Sequence, residues 1–99
     1  MAAPDVWVAK ADGSDVVRAV AIVGVGRDYN GNVTVRLSGG EQAVVTLVTT
    51  SPGDDRKTPE DFHVQLLRVI TELSDTAEPA LVRPAYAEPY GWTWRPGPL

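Results

Sequence analysis

The sequence predicts an α+β domain. It reads as a four-stranded antiparallel meander sheet, one C-terminal helix packed on one face, and an extended tail rich in proline and aromatics. Three observations carry this reading. The first half alternates strand-like runs with glycine-bearing turns. Residues Thr58 to Ser74 place apolar side chains at helical spacing. Residues 76–99 hold five of the eight prolines and four of the seven aromatics. The expected division is therefore 1–75, sheet plus helix, and 76–99, tail.

Each strand has a local reason. Trp7-Val8-Ala9-Lys10 is a short first strand. Ala11-Asp12-Gly13-Ser14 supplies an Asp-Gly turn, where glycine tolerates positive φ. Asp15 to Arg27 is the second strand. Its apolar residues Val17, Ala19, Ile22 and Val25 break strict alternation, which predicts a bulge or short helical turn at Ala19 to Ala21. Tyr29-Asn30-Gly31-Asn32 predicts a type I′ hairpin. In the third strand Val33, Val35 and Leu37 share one face, while Thr34, Arg36 and Ser38 share the other. Ser38-Gly39-Gly40-Glu41 is a further turn. Ala43 to Thr50, rich in β-branched residues, is the fourth strand.

A polar loop, Ser51 to Lys57, leads to the helix. Thr58 is the expected N-cap, Pro59 suits the first turn, and Glu60 and Asp61 complement the positive helix end. Phe62, Leu66, Val69, Ile70 and Leu73 form the stripe that covers the sheet. Val64 and Leu67 fall off that stripe and need another cover, or none.

The tail prolines argue against a regular helix. The tail aromatics Tyr86, Tyr90, Trp92 and Trp94 argue against a free linker, since each can bury on the order of 150–250 Å². Three placements compete: back over its own domain, onto a sister subunit, or presented to another protein. Val64, Leu67, Tyr86, Tyr90, Trp92 and Trp94 are the candidate interaction residues. A last short strand at Tyr90 to Trp94 could cap a sheet edge.

The composition excludes several classes of chemistry. At 99 residues the chain is one domain. With no cysteine there are no disulfides, cysteine-zinc sites or thiol nucleophiles. Met1 to Lys10 lacks the pattern of a secretory leader. The longest apolar run, Ala19 to Val25, is too short to span a membrane. The expected location is the cytoplasm. Arginine outnumbers lysine seven to two, as in GC-rich bacterial coding. A net charge of −4 and no evident basic stripe speak against nucleic acid as a partner.

The short motifs fail on inspection. Gly24-Val25-Gly26-Arg27-Asp28 lacks the third glycine and the βαβ setting of a phosphate loop. Asp28-Tyr29-Asn30-Gly31-Asn32 opens like a calcium loop, but Val33 and Gly39 stand where glycine and glutamate are required. Asn32-Val33-Thr34 is a chance sequon inside a strand. His63, the one histidine, has no recognisable catalytic partner. Asp54-Asp55 lies beside Arg56-Lys57, and Glu60-Asp61 is explained by the helix end. Serines 14, 38, 51 and 74 sit at turns or helix ends, outside any nucleophile elbow. No catalytic, cofactor-binding or metal-binding residue is expected.

These readings point to a small non-enzymatic protein-interaction module, an adaptor, regulator or inhibitor, as a homodimer or with a protein partner. One alternative is a structural subunit of a phage or secretion-type assembly. Another is a small-ligand carrier or enzyme with a pocket under the tail, lined by Trp7, Trp92 and Trp94.

Overall fold

A single 3-10 turn at Ala19–Ala21 divides the first half of the chain between two sheets. The computed structural model describes residues 5–39, 43–50, 57–75 and 78–99. On these lie β1 (Val6–Ala9), β2 (Val16–Arg18), β3 (Ile22–Arg27), β4 (Val33–Leu37), β5 (Ala43–Val48), α1 (Phe62–Ser74), β6 (Ala80–Ala87) and β7 (Gly91–Gly97). The loop expected at Ser51 to Lys57, with Asp54-Asp55, and the turn at Ser38 to Glu41 lie partly outside the described residues.

The α+β class holds, but the single meander is corrected. One sheet has the order β2-β1-β6-β7 and the other β3-β4-β5. The second is antiparallel throughout. The first is mixed, because β1 runs parallel to β6, with Val6 opposite Ala80 and Val8 opposite Val82. The run expected as one strand, Asp15 to Arg27, is cut by the helical turn at its predicted place. Its two halves enter different sheets. Valines 17 and 25 therefore serve different sheets around a shared core.

The extended tail is corrected as well. Residues 80–97 form a hairpin whose first strand pairs with β1. The prolines do not prevent this, because Pro79 and Pro89 lie outside the strands. Pro84 and Pro96 sit where a strand can spare a donor. Pro84 lies beyond the stretch of β6 paired to β1, and Pro96 is on the edge strand.

Two local expectations change in detail. Among the described residues only glycines take positive φ, so Asn30 cannot supply the type I′ geometry. The hairpin instead has three loop residues. Gly31 donates to the Asp28 carbonyl at 3.1 Å, Asp28 donates to the Asn32 carbonyl at 3.0 Å, and Gly31 alone is left-handed, at φ 92°. This is the turn-plus-glycine-bulge pattern. The Asp28 carboxylate accepts the Asn30 and Asn32 N–H groups at 2.9 Å. With the Asn32 side-chain amide as the leading cause, these bonds hold its carboxyl below the usual range.

Thr58 does not cap α1; Asp61 occupies that position, without a side-chain cap bond. Thr58 is buried three residues earlier. Its hydroxyl donates to the Gly31 carbonyl at 2.6 Å and accepts from Arg27 Nε at 3.1 Å. The Arg27 guanidinium also donates to the Thr58 carbonyl at 2.7 Å. Thr58 thus ties the approach to α1 onto the β3–β4 hairpin.

One core serves both sheets. Phe62 and Leu66 of α1 are fully buried among Val8, Val33, Val35, Val48, Val82 and Trp94. Val69, Ile70 and Leu73 pack on its margin, as the helical stripe predicts.

Candidate interaction surfaces

The tail aromatics divide into core and surface. On β7, Trp92 and Trp94 alternate with Thr93 and so share the face turned to α1. Trp94 stacks on Phe62 with ring centres 4.5 Å apart and planes 14° apart. A buried indole N–H needs an acceptor, and Trp94 Nε1 donates to the Phe62 carbonyl at 2.8 Å. Trp92 packs beside it, 6.3 Å from the Phe62 ring and edge-on to Tyr86 at 5.7 Å. The Tyr86 hydroxyl donates to Glu88 at 2.7 Å. Tyr90, on the β6–β7 turn, is 82% exposed. Trp94 is thus a core residue, Tyr86 and Trp92 are half-buried, and Tyr90 stands in solvent.

Val64 and Leu67 form a separate surface. Both are exposed on the outward side of α1, beside Arg68, Thr71 and Glu72. The tail covers the Phe62 side of the helix and leaves this pair uncovered by any described residue.

The outer face of the four-stranded sheet was not foreseen. Val6 and Val8 are buried, so Trp7 between them points the other way. It lies in register with Arg18 on β2 and Leu81 on β6. The Arg18 guanidinium sits 5.4 Å from the Trp7 ring centre and pairs with Asp5 at 2.7 Å. Arg83 and Arg95 stand directly opposite each other on the same face, both exposed. Among the described residues neither forms an ion pair. The signal for this face in the sequence is the alternation of Leu81, Val82, Arg83 and of Thr93, Trp94, Arg95, the second of which extends the last strand expected at Tyr90 to Trp94. Trp7 therefore cannot line a pocket with Trp92 and Trp94, which face the opposite side of the sheet.

The remaining chemistry is sparse. Among the described residues no three His, Asp or Glu side chains gather as metal ligands. His63 Nδ1 is buried with no hydrogen-bond partner among the described residues. Asp12 is held below the usual carboxylate range by the Ser14 N–H and hydroxyl, which closes the Asp12-Gly13 turn. A groove of about 700 Å³ lies between Leu73, Pro79, Ala80, Pro96 and Pro98, open to solvent and poor in polar groups. No described helix is long and apolar enough to cross a membrane. Comparison with protein-family models, curated proteins and solved structures finds no match.

Proposed function

We propose that the protein is a small non-enzymatic interaction module, an adaptor, regulator or inhibitor, that works as a homodimer joined along β7. The supporting observation is the open side of that strand. β7 is a seven-residue edge, and no described strand pairs with its outer side. Proline marks which groups face outward. Pro84 and Pro96 are both at even positions, and Pro84 lies opposite Trp94. That parity turns the Trp94 N–H away from β6. Two copies can pair these strands antiparallel about a two-fold axis, which makes one continuous sheet and removes the edge. Pro96 ends the pairing on one side.

The test is solution mass by light scattering over a wide dilution series, with amide exchange read at Trp94. A dimer whose Trp94 amide becomes slow on association supports the reading. A monomer throughout the series overturns it. A dimer with a fast Trp94 amide moves the interface elsewhere, Val64 and Leu67 first.

A further inference from the structure

The outer face of the β2-β1-β6-β7 sheet combines an apolar floor with cations that have nothing to bind within the described chain. We propose that this face docks an extended acidic polypeptide segment, whose carboxylates are held by Arg83 and Arg95. The inference does not rest on the dimer, because one copy carries the whole face.

Three features support it. Arg83 and Arg95 are cross-strand partners, and like charges placed opposite each other oppose sheet formation. A carboxylate between them converts that repulsion into paired, charge-assisted hydrogen bonds, since the guanidinium fork matches carboxylate geometry. Next to this pair lies a hollow of about 210 Å³ lined by Ala9, Val16 and Leu81 and by Lys10 and Asp12, with Arg83 on its rim. Its apolar part suits one small side chain between the ligand's carboxylates, and Asp12 keeps those carboxylates to the Arg83 side. Trp7 and Arg18 complete the face, and tryptophan and arginine are residue types that anchor protein contacts. Asp5 is already engaged with Arg18 and leaves the central pair free.

The alternative anion is a nucleic acid, and the structure favours the peptide. Base stacking needs an open aromatic platform. Trp7, the one aromatic ring on this face, is occupied by Arg18, while Trp92 and Trp94 face the core.

The probe is a short fluorescein-labelled peptide of alternating Glu and Val, titrated by fluorescence anisotropy against the full chain. Binding is expected, weaker in high salt. It should fall at least about tenfold in Arg83→Ser/Arg95→Ser, the loss due to one charge-assisted hydrogen bond or more. Arg68→Ser, which removes an exposed cation from α1, should leave it unchanged. Circular-dichroism melts confirm that each variant folds, and facing cations are not needed for stability. No binding overturns the proposal, as does equal loss in the Arg68 variant. A single-stranded oligonucleotide that binds more tightly, with the same Arg83 and Arg95 dependence, overturns the partner class.

Discussion

The two sheets are built by opposite means. The three-stranded sheet closes within residues 22–48, through two antiparallel neighbours joined by short connections. The four-stranded sheet joins residues 6–18 to residues 80–97, and its central pairing is parallel. A short connection cannot join parallel strands. Here the route from β1 to β6 passes through the other sheet and the helix. The first sheet is therefore assembled from local instructions. The second forms only once the rest of the chain has brought its halves together, and that long closure is entropically costly.

Ending the chain at Asp75 tests this contrast most severely. The cut removes β6 and β7, strips β1 of its parallel partner, and opens the core at Val82 and Trp94. The expected result is loss of the cooperative thermal transition by circular dichroism. A truncated chain that still melted cooperatively would mean that β3, β4, β5 and α1 form an independent unit, and the dependence would run one way.

Trp94→Ala acts on the same sheet without removing its backbone. It deletes the ring stacked on Phe62 and leaves a cavity between β7 and α1. The expected loss is about 3–5 kcal/mol by urea denaturation. A loss below about 1 kcal/mol would show that β7 is held by its backbone ladder rather than by the core.

Gly31→Ala probes the locally built sheet. A Cβ there would come within 2.9 Å of Lys57 Cγ and 3.1 Å of the Thr58 hydroxyl, at a φ of +92°. Both the left-handed backbone and the Thr58 tie are compromised, with an expected loss of about 1–3 kcal/mol. Gly13→Ala is the control. It shares a positive φ but has open space around it, so its loss should be smaller. Equal losses would mean that Thr58 adds nothing to the hairpin.

Legibility followed the same division. The break at Ala19 to Ala21, the alternation of Val33, Val35 and Leu37, and the stripe from Phe62 to Leu73 were all visible, because each is a periodicity over a few residues. The hairpin at Asp28 to Asn32 was visible as a turn but not as its type, which depends on whether Asn30 takes positive φ. In the tail the last strand was legible at Tyr90 to Trp94 and is β7, but β6 was not, because five prolines outweighed the two-residue alternation around Arg83. That alternation matters only if proline's missing N–H falls where no partner strand needs it. The pairing of Arg83 with Arg95 is a matter of register, and register between β6 and β7 is not written in either strand alone.

By itself, then, the sequence determined the class, the helix, the hairpins of the first half and the absence of cysteine chemistry. These rest on local sterics, side-chain periodicity and composition. Only the tertiary structure decided that there are two sheets, that β1 lies parallel to β6, and that Trp94 faces inward while Trp7, Arg83 and Arg95 share an outer face. Those outcomes turn on which distant strands meet. That choice is made by burying one common core against α1, so it belongs to the whole chain at once.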